Sequence, residues 1–173
     1  GVASFAEYAV VPESGVVKIR SDVPLDVAAL VGCGVMTGVG AVINTAKVEP
    51  GSSVVVIGCG GVGLNVVQGA VLAGAGIIIA VDVNPQKLAW ARQFGATHLV
   101  NPHESDPISQ VFALTNGFGA DYAFEVVGRA DTAMQAYLSI CPGGTAVVVG
   151  VARPDDMIMI PALSLLQEKT LKG

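Results

Sequence analysis

The passage from Val54 to Asp82 restricts this chain more than any other. The apolar run Val54-Val55-Val56-Ile57 ends in Gly58-Cys59-Gly60-Gly61-Val62-Gly63. A helix-like stretch follows from Leu64 to Ala75, and a second apolar run, Ile77-Ile78-Ile79-Ala80-Val81, ends at Asp82. Continuous Val/Ile runs read as strands buried on both faces, as in a parallel sheet covered by helices. The glycines have separate tasks: Gly58 allows a tight turn at the strand end, Gly60 lets backbone approach a pyrophosphate, and Gly63 lets the next helix lie close to the strand. The helix N-terminus then offers free N–H groups and partial positive charge to phosphate. A glycine-rich turn alone fits any β-α unit. Here an acidic residue about 20 positions on completes a dinucleotide-binding pattern. Gly58, Gly60, Gly61, Val62 and Gly63 are therefore candidate cofactor contacts.

Asp82 also selects the cofactor. At a strand end beside the adenosine ribose, its carboxylate accepts hydrogen bonds from ribose hydroxyls. It would repel a 2′-phosphate by about 4 kcal/mol per unit charge at an effective dielectric near 20, close to about three decades in affinity. No arginine follows directly in Val83-Asn84-Pro85-Gln86. Lys87 is near enough to reach the ribose, or is simply a solvated lysine in a first helical turn. The expectation is NAD, not NADP.

Apolar residues make up 52% of the 173 positions and charged residues 13%, enough for one domain with a substantial core. The net charge of −5 argues against nucleic acid or an anionic membrane as partner. Gly, Asn, Gln and Asp interrupt each apolar stretch, so none is expected to reach the length of a membrane span. No signal peptide is visible. Cys33, Cys59 and Cys141 are far apart and form no CxxC pair, which fits a reducing, cytoplasmic setting. The first residue is not Met, and the opening reads as the middle of a strand, as expected of a fragment of a longer polypeptide.

Along the chain, residues 1–20 alternate weakly (Phe5, Tyr8, Val10) and predict two short strands outside the main sheet. Pro24 opens a short helix through Leu30, which Gly32-Cys33-Gly34 is expected to break. Met36 to Lys47 predicts a helix with Gly38 and Gly40 on a closely packed face. Strands are expected at 54–57, 77–81, 97–100, 121–127 and 146–149, alternating with helices at 86–94, 107–116 and 131–140. Asn84-Pro85 caps the first of these helices and Gly95 stops it. Met157 to Ile160 predicts a short extra strand and Leu163 to Gln167 a helix. The fold class is α/β, a doubly wound parallel Rossmann sheet with helices on both faces. Lys169 to Gly173 either starts the sixth strand or leaves it beyond the chain, with the fifth strand as an open edge.

Several stretches together resemble the zinc-dependent medium-chain alcohol dehydrogenases. They are Leu30-Val31-Gly32-Cys33-Gly34, Thr37-Gly38-Val39-Gly40-Ala41, the loop 58–63, Val81-Asp82-Val83-Asn84, Phe94-Gly95-Ala96-Thr97, Val100-Asn101-Pro102 and Phe124-Glu125-Val126-Val127-Gly128-Arg129. The resemblance implies that residues 1–32 are a remnant of a GroES-like substrate domain and hinge, and that 33–173 are the NAD-binding Rossmann domain. It further implies that Cys33 is one ligand of a catalytic zinc and that Thr37 packs against nicotinamide. Asp82 and Lys87 would contact the adenosine ribose, while Val126, Val127 and Val151 flank the adenosine and nicotinamide. The other zinc ligands belong to an N-terminal domain outside this chain. His98 and His103, read as solvent-facing, cannot replace the ligand histidine. Glu125 is expected to satisfy backbone donors.

The parent enzyme implied is an NAD-dependent oxidoreductase that takes an alcohol to an aldehyde or ketone, with this chain alone inactive. The resemblance also implies a homodimer, with Met157 to Ile160 at the contact. Two alternatives stay open: a non-catalytic NAD-binding or redox-sensing module, and a zinc-free relative of the quinone-reductase type.

Overall fold

The computed structural model describes residues 6–173. Six strands form one sheet: β1 Ser53–Ile57, β2 Ile77–Val81, β3 His98–Val100, β4 Ala120–Glu125, β5 Ile140–Val148 and β6 Thr170–Lys172. The spatial order is β3-β2-β1-β4-β5-β6, and every pairing is parallel. Lys169 to Gly173 thus supplies the sixth strand, and β5 is not an open edge.

The helices are α1 Leu25–Ala46, α2 Gly61–Leu72, α3 Pro85–Gln93, α4 Pro107–Leu114 and α5 Ala130–Ser139. Alternation along β1 sends Val54 and Val56 to one face and Val55 and Ile57 to the other. On the first face they join Val42, Val66, Ala70, Leu88 and Phe124. On the second they join Ile79, Val111, Ala136, Tyr137 and Ala146. The continuous Val/Ile runs are continuous because each strand is covered twice.

Local signals place the helix ends. Asn84 accepts hydrogen bonds from the Gln86 and Lys87 amides with Pro85 at the first helical position, and Gly95 takes φ +110° just past the end of α3. Asp106 caps α4 through the Ser109 amide. At the other end of the sheet, the Ser53 amide and hydroxyl both donate to Asp121 Oδ2 at 2.7 Å, and the Asp121 amide donates back to Ser53 Oγ at 3.0 Å.

Several expectations need correction. Residues 6–20 contain a single 3₁₀ turn, Glu13–Gly15, and no strand. Tyr8 and Val10 are more than nine-tenths exposed and have no neighbouring ladder among the described residues, which a stable strand requires. The part of that expectation on residues 1–5 lies outside the described residues. Gly32-Cys33-Gly34 does not break a helix. The chain stays helical from Leu25 to Ala46, widening into π turns at Val31–Val35 and Ala41–Ala46.

That continuity overturns the reading that no apolar stretch reaches spanning length. By length and composition alone this 22-residue helix is long and apolar enough to cross a membrane, with a mean hydropathy of 1.8 over an 18-residue window. Its buried residues Gly38, Ala41 and Val42 face the interior. A Cβ on Gly38 would lie 2.6 Å from Asn65 Cβ and the Val62 oxygen, so this glycine sets the approach of α1 to α2. Gly40, expected on the same tight face, meets nothing closer than 3.8 Å. Met157 to Ile160 forms no strand. Val148 ends β5 and Thr170 begins β6, with the 3₁₀ turn Ala162–Gln167 between them. β5 begins at Ile140, earlier than expected, through a register irregularity opposite Ala120 and Tyr122.

Candidate functional site

The strand order reverses between β1 and β4, so the chain leaves these neighbours in opposite directions and a crevice opens beyond their carboxyl ends. The glycine loop forms its floor. Gly58 takes φ +97°, and a Cβ there would lie 2.7 Å from the Val127 side chain. The Gly58 amide donates to the Val81 oxygen at 2.8 Å, and the Val126 amide to the Ile57 oxygen at 2.8 Å. A Cβ on Gly63 would sit 1.8 Å from the Gly58 oxygen, so α2 rests directly on the turn. Gly60, the N-cap of α2, faces open space, with nothing within 4 Å of where its Cβ would be. Gly58 thus makes the tight turn and Gly63 the close helix contact read from the sequence, while Gly60 has open space beside it.

Asp82 is buried at the end of β2 and holds the loop from beneath. Its Oδ2 accepts from the Cys59 amide at 2.8 Å, and its Oδ1 from the Asn84 amide at 2.9 Å. The half-exposed Lys87 brings Nζ to 4.0 Å from Oδ2. Each oxygen has further lone-pair capacity toward the crevice, so a loop-holding role and a ribose-binding role are compatible. Cys59 packs beside it, and burial, aided by the Asp82 charge, pushes its thiol up to about 12. At neutral pH it is a small neutral filler.

These residues line a cleft of about 480 Å³. Gly58, Gly60, Asp82, Lys87, Val126 and Val127 of the sequence-predicted set meet there. Gly61, Val62 and Gly63 form the first turn of α2 and are not among the residues that line the cleft. Sequence reasoning missed the rest of the cleft wall: Pro102 after β3, and Arg129, Asp131, Thr132 and Gln135, which follow Val127 into the start of α5. Arg129 and Asp131 pair at 2.7 Å, which holds the Asp131 carboxyl below the usual carboxylate range. Two of the resembling stretches, Val100-Asn101-Pro102 and Phe124 to Arg129, ended at this wall and were the available signal.

Thr37 lies elsewhere. With Met36, Gly40 and Asn44 of α1 it lines a second hollow, about 390 Å³, against Val147 to Val149 and Gly173. Cys33 is exposed one helical turn earlier, and Val151 is exposed beyond β5. The Val151 oxygen lies 2.5 Å from where a Cβ on Gly128 would be. His103 is exposed as expected, but His98 is half-buried, its Nδ1 2.9 Å from Thr97 Oγ1. Glu125 does satisfy local donors. Its Oε1 accepts from the Val127 and Gly128 amides and from Thr132 Oγ1. Among the described residues no three of His, Cys, Asp and Glu come together in a way that could hold a metal ion.

Residues 61–173 match the zinc-binding dehydrogenase family. Among solved structures, an alcohol dehydrogenase zinc-binding domain protein from Burkholderia ambifaria is 38% identical with a TM-score of 0.95, covering 99% of this chain and 46% of that one. Benzyl alcohol dehydrogenase from Acinetobacter calcoaceticus is also 38% identical at TM-score 0.95, with coverage of 99% and 48%. A protein described as a zinc-binding dehydrogenase from Sinorhizobium meliloti 1021, solved bound to NADP, is 28% identical at TM-score 0.76, with coverage of 82% and 42%. The chain thus spans about half the length of these relatives. Its sheet, its crevice at the strand reversal and its glycine loop are those of a cofactor-binding domain, and the chain belongs to the zinc-binding, medium-chain alcohol dehydrogenase family.

Proposed function

We propose that this chain is the NAD-binding part of an alcohol dehydrogenase that oxidises an alcohol to an aldehyde or ketone. The observation that carries the reading is the Asp82 contact with the Cys59 amide, which places a carboxylate under the glycine turn and at the cleft in one stroke. The diphosphate would lie over Gly58 and Gly60, facing the free amides at the N-terminus of α2. The adenosine ribose would lie against Asp82 and Lys87, with the base in the part of the cleft lined by Pro102, Val127 and Arg129. Thr37 and Val151 would flank the nicotinamide end. NAD supplies hydride acceptance when bound. What the chain's own residues contribute is binding, orientation and exclusion of a 2′-phosphate.

A zinc centre does not fit the described residues by themselves, because Cys33 has no companion ligands among them. We therefore derive no step through zinc. In this reading Cys33 contributes one sulfur to a site whose other ligands lie outside these residues, and the isolated chain turns over no alcohol. The division into residues 1–32 and 33–173 belongs to the same proposal. So do a cytoplasmic setting and a homodimer using Met157 to Ile160, whose methionines are about four-fifths exposed.

Calorimetric titration of the chain with NADH and NADPH tests the reading, the second being the reduced form of the NADP bound by the Sinorhizobium neighbour. Preferential NADH binding is expected. Equal or tighter NADPH binding would remove Asp82 as the discriminating group.

A further inference from the structure

Glu125 ends β4 and is fully buried between β1 and β5. Its Oε1 receives three donors: the Val127 amide at 2.9 Å, the Gly128 amide at 2.7 Å and Thr132 Oγ1 at 2.7 Å. Its main-chain oxygen accepts from the Val149 and Gly150 amides at 2.8 and 3.0 Å. One residue thereby ties together the end of β4, the turn after it, the first turn of α5 and the end of β5. The turn has no slack on the far side either, since a Cβ on Gly150 would lie 2.2 Å from the Gly128 nitrogen. What the turn carries is one wall of the cleft: Val126, Val127, Arg129 and Thr132.

Satisfying three donors needs one acceptor oxygen, which a neutral amide would supply. The second oxygen of Glu125, Oε2, is buried without a hydrogen-bond partner among the described residues. An unmatched buried carboxylate oxygen costs stability, and a local violation of this kind beside a binding cleft marks stability given up for a fixed site. The return is stiffness, because hydrogen bonds to a carboxylate are shorter and stronger than those to an amide.

We propose that Glu125 is a positioning residue for the dinucleotide, its carboxylate holding the Val127-Gly128-Arg129 turn in the shape that receives the adenosine half. This rests on the reading of the cleft as a dinucleotide site. Glu125 touches no ligand itself. It acts through the turn.

The test uses the 173-residue chain with Glu125→Gln, which keeps one acceptor, and Glu125→Met, which keeps approximate volume and removes both. AMP probes the adenosine wall, and inorganic pyrophosphate probes the glycine loop, which Asp82 holds independently. Glu125→Met is expected to weaken AMP binding about tenfold, the low end of what outer supporting partners of a bound group cost, with pyrophosphate binding unchanged. Amide exchange at Val127 and Gly128 should accelerate in the same variant while that of β1 stays slow. Glu125→Gln should weaken AMP binding by a smaller factor, and it carries the test if the Met variant does not fold. Wild-type AMP affinity in the variants, or equal losses of AMP and pyrophosphate, would overturn the proposal while leaving the cofactor reading intact. A wild-type chain that binds no AMP would overturn both.

Discussion

Replacing Gly63 and Gly60 by alanine, one at a time, separates what the glycine turn does for the fold from what it does for a ligand. A methyl group at Gly63 would sit 1.8 Å from the Gly58 oxygen and 2.9 Å from its carbonyl carbon. Both atoms are backbone, so no side chain can swing aside. To restore ordinary contact near about 3.5 Å, α2 must retreat by more than about 1.5 Å. Overpacking of that kind reaches about 3 kcal/mol, offset by at most about 1 kcal/mol of helix propensity gained over glycine. The net loss of about 2 kcal/mol corresponds to a Tm lower by about 4–8 °C for a chain of this size. Gly60 differs. Its φ of −75° and ψ of −169° suit alanine, and nothing lies within 4 Å of the new methyl. Stability should stay within about 0.5 kcal/mol of wild type. The methyl would occupy the space where the diphosphate must lie, so NADH affinity should fall by about 5- to 150-fold, from a steric conflict of about 1–3 kcal/mol. Thermal denaturation and NADH fluorescence titration on both variants decide the matter. A Gly60→Ala chain that binds NADH as wild type does would refute the placement of the diphosphate over the turn. Undiminished stability in Gly63→Ala would refute the helix–turn contact as a constraint.

Three other outcomes are expected. Asp82→Asn removes the charge facing a 2′-phosphate, so the ratio of NADPH to NADH dissociation constants should drop by about tenfold or more; an unchanged ratio in paired titrations counts against the assignment. Asp106→Ala should cost about 1 kcal/mol at neutral pH through loss of the α4 cap. Bonds from the Ser109 hydroxyl and amide hold the Asp106 carboxyl below its ordinary value, so this contribution is complete above the unfolded carboxylate range. It is lost as pH falls through the lowered folded value, and urea melts of the two proteins should converge there. Thiol titration with a disulfide reagent near about pH 8 should label exposed Cys33 first. Cys59, whose thiol is pushed up to about 12, should react only on unfolding.

The central sheet was legible because its signals are local. Val54 to Ile57 and Ile77 to Val81 are apolar at every position, and Asn84-Pro85 and Asp106-Pro107 announce their helices with a cap and a pre-set φ. Gly32-Cys33-Gly34 misled because glycine only weakens a helix, by about 1 kcal/mol each, and tertiary packing of α1 on α2 outweighs that. The short runs at 6–20 and 157–160 alternate or are apolar as strands are, yet among the described residues neither has a neighbour to pair with. The Asp82 side of the cleft could be read because its parts lie within one β-α-β unit. Pro102, Arg129 and Gln135 could not be brought to the same cleft from spacing, because they follow different strands and separate crossovers bring them there. The clamp at Glu125 was visible only as a carboxylate on an apolar strand. Its three donors come from a turn whose shape no sequence period encodes.

The reciprocal bonds between Ser53 and Asp121 join β1 and β4 at the end of the sheet away from the cleft. They act as the spine of a book whose two leaves are β1 with β2 and β3, and β4 with β5 and β6. The binding runs on along the seam to the cleft, where Ile57 pairs with Glu125 and the Val126 amide meets the Ile57 oxygen at 2.8 Å. A guest therefore settles on a floor that is stitched from end to end, and it is the guest that must conform to the gutter between the leaves.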